Sequence, residues 1–260
     1  MATTVSRMAY TVFLASCLAS PVGAQVYAIG SNPQGSLMFS GSAAIAKVAN
    51  EKLKMQIRVQ PMAGSSTYFP LINSGELDFG LTNVDDTITG YNGTGAYEGK
   101  PNKNVRVMGV IFPLTLSMIV VNDGPIKTIK DLKGKRVPAN YIGQITGRVL
   151  QDALLASVGL TMADVKPVPA INLFQGIDAL GEGKVDVATS GPAVGQVQQA
   201  NVALSSRGGV RFLSVDGSPE ALAAMRKFAP VRTILVDPAP HNVGVLTPTN
   251  FMAYSVYLTT

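Results

Sequence analysis

Short apolar runs that end at small polar loops, each followed by a helical pattern, organise this chain. In the first of them, residues 27–29 stop at the loop 30–35 and Ser36 begins the helical pattern. The run predicts a buried strand, the loop glycines permit tight turns, and Ser36 is a suitable N-cap. A helix start of this kind favours a bound carboxylate or phosphate, although a plain strand-to-helix turn is the alternative. The helix face toward the core is predicted from Leu37, Ile45, Val48 and Leu53.

The same pattern occurs a second time, at positions 137–147. Three pairs of residues share one spacing along the chain: Gly35 and Gly143, Gly75 and Gly183, and Asp78 and Asp186. Their shared order predicts two lobes built on one βαβαβ plan. Since ligands in open α/β sheets bind at the carboxyl ends of the strands, two facing lobes would form a ligand cleft.

Changes in the pattern divide the chain into segments. We expect residues 25–110 to form the first part of lobe 1, residues 111–207 to form lobe 2, and residues 208–260 to return to lobe 1. The apolar runs 105–112 and 116–121, separated by Pro113, predict the first crossing between the lobes, and the run 210–215 predicts the return. Two crossings imply a hinge.

Two further helix starts carry polar side chains of interest. Asn172 is predicted to cap a helix that carries Phe174 on its apolar face. Asp85 or Asp86 is expected either to cap the helix after residues 79–82 or to reach a ligand amine, and capping is the commoner use of aspartate at such a position.

The segment 1–24 predicts an export signal. Arg7 supplies a positive start, residues 8–19 are a short apolar region, and small residues before Gln25 suit signal peptidase. A rival interpretation is that residues 14–17 resemble a lipobox, which would leave Cys17 lipidated. Both interpretations predict a periplasmic protein.

Composition narrows the chemistry that the exported chain can perform. Cys17 is the sole cysteine and His241 the sole histidine, so a cysteine nucleophile, a zinc site and a hydrolytic triad are poorly supplied. Asp78 and Asp186 are predicted as turn residues at strand starts, away from the cleft, which disfavours a paired-carboxylate mechanism. We therefore expect no catalytic residue, no metal and no cofactor.

The charge of the chain is modestly positive. The formal net charge of +5 becomes +4 without the leader, because Arg7 is the only charged residue in the segment 1–24. Much of the excess lies in the lysines and Arg136 around Gly134, where a solvated edge is expected. The loop 30–35 lacks the dinucleotide fingerprint, and the chain has no Gly-Lys-Ser/Thr phosphate loop. We expect no nucleic-acid partner.

The order of five motifs carries a family resemblance. They are Ile29-Gly30 with Gly35, Gly64-Ser65-Ser66, and the segments 74–80, 129–137 and 183–186. In this order they resemble the TAXI family of solute-binding proteins, which serve tripartite ATP-independent periplasmic (TRAP) transporters. The resemblance spans residues 25–247 and implies a two-lobed α/β fold of the type II periplasmic binding protein class, with the ligand cleft between the lobes.

The resemblance also implies a function. The chain would capture a small anionic solute, a carboxylate or an amino acid, and deliver it to the membrane subunits of a TRAP transporter. Two alternatives stay open: an exported or secondarily adapted enzyme on the same fold, and a ligand sensor for a membrane signalling partner. Arg148, the one cation near a predicted cleft loop, would either pair with a carboxylate or point to solvent. The candidate ligand-binding residues are Ser31, Asn32, Ser36, Ser65, Ser66, Asn83, Asn140, Gln144, Thr146 and Ser190.

Some features depart from the pattern of the TAXI family. The first loop reads Asn32-Pro33-Gln34 where the family is richer in glycine, and the second-lobe loop at residues 140–146 is bulkier. Phe112-Pro113 stands where an aromatic pair is common. Family members also extend further at the C-terminus, so the apolar end at residues 251–258 suggests a truncated chain with an exposed apolar face.

Overall fold

A computed structural model describes residues 25–260, which form seven α-helices and ten β-strands. The helices are α1 (Leu37–Leu53), α2 (Ser65–Ser74), α3 (Val84–Asn92), α4 (Ile145–Ala156), α5 (Leu173–Gly181), α6 (Gly195–Ala203) and α7 (Pro219–Arg226). The strands are β1 (Val26–Ser31), β2 (Gln56–Pro61), β3 (Phe79–Asn83), β4 (Val107–Val121), β5 (Arg136–Asn140), β6 (Lys166–Ala170), β7 (Ala188–Ser190), β8 (Val210–Phe212), β9 (Arg232–Val236) and β10 (Thr249–Thr259). The export signal and the lipobox interpretation lie outside the described residues.

One large sheet connects the parts of the fold. Its strands follow the order β2-β1-β3-β10-β4-β7, with β8 paired to β4 and β9 paired to β10. Strands β1, β2 and β3 are parallel, whereas β10 is antiparallel to both β3 and β4. The first part of β4 pairs with β10, and its last part, from Ser117 onward, pairs with β7 and β8. Strands β5 and β6 form a separate parallel pair.

The repeat predicted from sequence is present in the order of the elements. Strands β1 to β3 with helices α1 to α3 form the first half, and β5 to β7 with α4 to α6 repeat that order in the second half. Helix α1 begins at Leu37 and α4 at Ile145, and α2 begins at Ser65 and α5 at Leu173. Both pairs of helix starts have the spacing of the paired glycines and aspartates, so the two halves are built on one plan.

A pair of aspartates marks the same position in each half. The Asp78 carboxylate accepts a hydrogen bond from the backbone N–H of Ala28 at 2.8 Å. The Asp186 carboxylate accepts one from the backbone N–H of Arg136, also at 2.8 Å. The Arg136 guanidinium bonds to Asp186 as well, which lowers the pKa of that carboxyl. Both aspartates lie just before a strand, as the sequence predicted, and each bonds a backbone N–H of another strand, β1 or β5.

The predicted core face of α1 is only partly right, because Ile45 packs against the cluster of Met38 and Leu81 but Leu37, Val48 and Leu53 are exposed. Its buried side chains are Met38, Ser42, Ala46 and Ala49, whereas Val48 and Leu53 are 56% and 67% exposed. The physical reason is the close approach of the helix to the sheet. A Cβ added at Gly41 would lie 2.9 Å from a ring carbon of Phe112, so small residues rather than branched ones fit this face.

Apolar clusters lie on both sides of the shared strand β4. The largest cluster joins β4 to α4 and α7 and includes Met118, Leu154 and Met225. A second, under α5 and α6, includes Ile119 and Ile177. Within residues 25–260 no helix combines the length and the hydropathy that a bilayer crossing needs.

The division into lobes stays a prediction. Strand β8, which lies in the run 210–215, pairs with the last part of β4 beside β7. The strand that returns to β3 is β10, through Val256–Asn83 and the pairs that follow it. Because β4 and β10 each pair with strands of different parts of the fold, the two halves share their connecting strands.

Candidate functional site

A partly enclosed cavity of about 320 Å³ lies where the starts of three helices meet β4. That volume is at the small end of the range for ligand pockets. The polar side chains on its wall are Asn32, Ser36, Thr115, Gln144, Ser190, His241, Asn242 and Tyr254. The larger apolar side chains are Leu37, Met38, Leu114, Leu116, Leu173, Phe174, Ile177, Pro192, Val194 and Val236.

The helix starts at this cavity belong to both halves of the repeat. Ser36 caps α1, where its Oγ accepts the Phe39 N–H at 3.0 Å. At the start of α5, the Leu173 N–H donates to Oε1 of Gln144 at 3.1 Å. Helix α6 begins after Val194 without a side-chain cap. The positive ends of three helix dipoles therefore face one cavity.

Two buried carboxamides on the cavity wall have NH2 groups without a protein acceptor. Asn32 and Gln144 are 6% and 8% exposed and both line the wall. The oxygen of Asn32 lies 3.4 Å from the Tyr68 hydroxyl, whose shorter hydrogen bond is to the Leu81 carbonyl, and the oxygen of Gln144 accepts from Leu173. Among residues 25–260, neither NH2 group donates to a protein acceptor. Neither nitrogen is among the fully buried polar atoms of residues 25–260 that have no partner, so both are accessible and can donate to a ligand acceptor.

Loops of the two halves pack directly against each other around the cavity. The backbone N–H of Gly195 donates to the carbonyl of Gly35 at 3.2 Å. A Cβ added at Gly64 would lie 2.8 Å from the Gly143 carbonyl oxygen and from Cγ of Gln144. Only glycine fits such an approach, so the contact between the halves is close.

Four of the predicted ligand-binding residues line the cavity. They are Asn32, Ser36, Gln144 and Ser190. The Ser190 hydroxyl donates to the Gly191 carbonyl at 3.0 Å, which leaves its lone pairs to accept from a ligand. The structure thus brings together two predicted residues from the first half and two from the second.

Another group of predicted residues converges on Asp86 instead. Nδ2 of Asn83 and Oγ1 of Thr146 donate to its Oδ2 at 2.6 and 2.7 Å. The Tyr97 hydroxyl donates to its Oδ1 at 2.8 Å, and the Ser65 hydroxyl bonds to the same carboxylate. Asp86 is 1% exposed, and a buried carboxylate is stable only when hydrogen bonds replace its hydration.

This cluster, the Asp86 hub, changes the interpretation of its members. Ser65, Ser66, Asn83 and Thr146 were assigned to the solute, yet their polar groups bond Asp86 and none of the four lies on the cavity wall. Thr146 is on α4 and Asp86 is on α3, so the hub ties the two halves together. Their role as ligand contacts stays a prediction, and the geometry gives them another role.

The remaining predicted residues lie apart from the cavity. Ser31 is fully buried at the end of β1, and its Oγ has no partner among the described residues. Asn140 is exposed and adopts a positive φ of 75°. Arg148 is exposed on α4 and does not line the cavity, so it is not placed to pair with a solute there.

Sequence reasoning missed part of the wall. Thr115 and Tyr254 come from the connecting strands, and His241 and Asn242 come from the loop before β10. His241 is exposed and also borders the cavity. One signal was available for the wall at residues 191–194, because Gly191-Pro192 directly follows β7. Within the described part of the chain, no three His, Cys, Asp or Glu side chains are grouped to hold a metal.

The sequence profile of the NMT1-like family matches residues 29–244. The chain belongs to this family. The match covers both halves of the repeat and the residues of the cavity wall other than Tyr254.

Solved structures show the same fold. The substrate-binding protein of an amino acid ABC transporter superposes with a TM-score of 0.52 at 16% identity, over 90% of this chain and 85% of that one. PhnD1 from Prochlorococcus marinus (MIT 9301), in complex with methylphosphonate, gives 0.53 at 13%, over 90% and 77%. The predicted α/β fold of the periplasmic binding protein class is confirmed. The assignment of this chain to the TAXI family stays a prediction.

The chain is shorter than some of its structural neighbours. It spans 65% of the alkanesulfonate-binding protein SsuA from Xanthomonas axonopodis pv. citri, with 88% of this chain covered, 16% identity and a TM-score of 0.49.

Asp85 lies outside the hub and behaves differently from its neighbour. The cap of α3 is Asn83, whose Oδ1 accepts the Asp86 N–H at 2.9 Å, so neither aspartate is the N-cap that the sequence suggested. Asp85 borders a separate groove with Phe228 and Arg232. Burial, and next the charge of Asp86, raise the pKa of Asp85 to about 6.

Removal of one hub donor tests whether the hub holds the halves together. We expect Thr146→Val to lower the free energy of unfolding by about 1.5–3 kcal/mol, because a hydrogen bond to a buried charge is lost at nearly constant volume. Thr146→Ser keeps the hydroxyl and is the control. Urea denaturation of both variants measures the difference, and equal losses in the two would show that the hydroxyl does not stabilise the fold.

The raised pKa of Asp85 makes a second prediction, on pH. Above the pKa that Asp85 has in the folded state, the folded chain holds a desolvated carboxylate charge, which lowers the stability of the fold. This loss of stability disappears as the pH falls from about 6 toward the ordinary pKa of 3.8. We therefore expect Asp85→Asn to raise the melting temperature near neutral pH and to lose that advantage as the pH falls through this window. Scanning calorimetry across the window measures it; a pH-independent difference would contradict the assignment.

Proposed function

We propose that this chain is a periplasmic solute receptor that encloses a small anionic solute in the cavity and presents it to TRAP membrane subunits. The observation that carries the proposal is a pair of NH2 groups, on Asn32 and Gln144, that donate to no acceptor among residues 25–260 and lie at the wall of a cavity between the two halves. Each half contributes one of these donors, so a solute bonded to both would join the halves.

The charge of the wall supports an anion. Its side chains include no Asp or Glu that would repel a negative solute. The three helix starts and the two NH2 groups all present positive partial charge, and each helix start contributes about 0.3–1 kcal/mol toward an anion. Anion binding by neutral dipoles needs no arginine, which fits the exposed position of Arg148.

A receptor fits the wall better than an enzyme does. Ser190 donates its hydroxyl proton to the Gly191 carbonyl, and among the described hydrogen bonds none joins it to a base such as His241. Nucleophilic catalysis requires that pairing. The structural neighbours are likewise named as binding proteins.

The two carboxamides provide a direct test of the site. We expect Asn32→Ala and Gln144→Ala each to weaken solute binding by about 1–3 kcal/mol, because each removes a hydrogen bond to a charged acceptor in a closed cavity. Calorimetry against pooled carboxylates, amino acids and 2-oxoacids, followed by the best single compound, measures the loss.

Exposed amides on helices offer matched controls, Asn50→Ala on α1 and Gln199→Ala on α6. Both should bind as the unaltered protein does. Unchanged affinity in Asn32→Ala, Gln144→Ala and the double variant would remove the cavity as the binding site.

The transporter partner is tested separately. The ordered motifs that resemble the TAXI family support a TRAP partner, whereas one structural neighbour is named for an ABC transporter. We expect membrane vesicles carrying TRAP subunits to take up the identified solute without ATP when this chain is added. Uptake that stops without ATP would exclude the TRAP assignment and leave the receptor function intact.

A further inference from the structure

The Asp86 hub and the cavity occupy corresponding places in the repeated fold. The hub lies where the starts of α2, α3 and α4 meet, and the cavity lies where those of α5, α6 and α1 meet. Helices α2 and α5 correspond in the repeat, as do α3 and α6, and α1 and α4. The two sites are therefore built from equivalent helix starts with the halves exchanged.

The residues at these equivalent positions differ in a consistent way. In the hub they are polar, whereas their counterparts in the repeat are small or apolar and line the cavity. Ser65 corresponds to Leu173, Asn83 to Gly191, Asp86 to Val194, and Thr146 to Met38. Helix α3 begins at Val84, whose counterpart in the repeat is Pro192, but α6 begins only at Gly195. Val194 is therefore the N-cap of α6. One site contains its own carboxylate, and the other has a cavity at the equivalent place.

Besides Asn32 and Gln144, the described wall of the cavity has six polar side chains, and its remaining side chains are apolar. No Lys, Arg, Asp or Glu borders it, and Asp86, the acid at the neighbouring helix starts, is already bonded by Thr146 and Asn83. A buried ammonium group without a carboxylate partner would be strongly disfavoured. Phe174, Ile177 and Leu116 instead offer surface to an apolar body.

We propose that the solute is a monocarboxylate with an apolar body and no ammonium group. Its carboxylate binds in the cavity at the place that corresponds to the Asp86 carboxylate in the hub. This inference rests on the proposed receptor function and names its substrate class. The NH2 groups of Asn32 and Gln144 donate hydrogen bonds to the solute carboxylate, as the NH2 group of Asn83 donates to Asp86 in the hub.

Three small acids of similar size separate the alternatives. 4-Methylpentanoate carries one carboxylate and a branched apolar body, L-leucine adds an ammonium group to the same skeleton, and glutarate replaces the apolar end by a second carboxylate. We expect calorimetry to show 4-methylpentanoate binding at least about tenfold more tightly than either of the others, because each of those buries an unpaired charge.

A variant of the protein tests the position of the carboxylate. Val194→Asp supplies an internal carboxylate at the place equivalent to Asp86, and aspartate is a favourable N-cap for α6. We expect it to weaken 4-methylpentanoate binding at least about tenfold, by like-charge repulsion. Val194→Asn has the same shape and capping ability as Val194→Asp, so the difference in affinity between these two variants measures the effect of the charge alone. Val202→Asp, at a position 71% exposed on α6, controls for added charge. Circular dichroism confirms that each variant is folded.

The outcomes distinguish this inference from the receptor function. Tighter binding of leucine or glutarate, or equal binding by folded Val194→Asp and Val194→Asn, would overturn the monocarboxylate assignment and leave a receptor. No heat from these acids or from the pooled carboxylates, amino acids and 2-oxoacids would overturn the receptor function, and this inference with it.

Discussion

The burial of one carboxylate, Asp86, constrains the relation between the two halves of this fold. A carboxylate that is 1% exposed loses its hydration and must recover it through hydrogen bonds from the protein. Asn83 and Ser65 supply donors from the first half, and Thr146 supplies one from the second half. Satisfying Asp86 therefore requires α4 to lie against the starts of α2 and α3. The packing of Gly64 on Gly143 and Gln144 follows from the same approach.

This constraint also explains why the cavity is neutral. The polar groups of Ser65, Asn83 and Thr146 bond Asp86 at the hub, and the equivalent places around the cavity carry Leu173, Gly191 and Met38. What remains for a solute is three helix starts, two carboxamide NH2 groups, the other polar side chains of the wall, and apolar surface. Under the proposed function, such a wall would bind an anion through oriented dipoles, without a cationic side chain.

The two halves share one architecture but not one chemistry. Asp78 and Asp186 make the same backbone bond at the same place in each half, because both strands need the same fastening. Asp86 has no acidic counterpart, since Val194 stands at the equivalent position of the repeat. Strands β4 and β10, which the two halves share, then close the cavity with side chains that belong to neither repeat.

The sequence by itself determined the α/β class, the internal repeat and the caps Ser36 and Asn172, because these depend on residues close together in the chain or on a regular spacing along it. Four of the ten proposed ligand-binding residues were placed on the cavity wall by the same local rule, that polar residues follow strand ends. The tertiary structure decided the rest. Whether Thr146 faces a solute or a carboxylate depends on Asp86, which is distant from it in the sequence. Which face of α1 is buried likewise depends on how closely Phe112 approaches Gly41. The pattern of apolar residues within the helix cannot predict that distance, because Phe112 lies on another element.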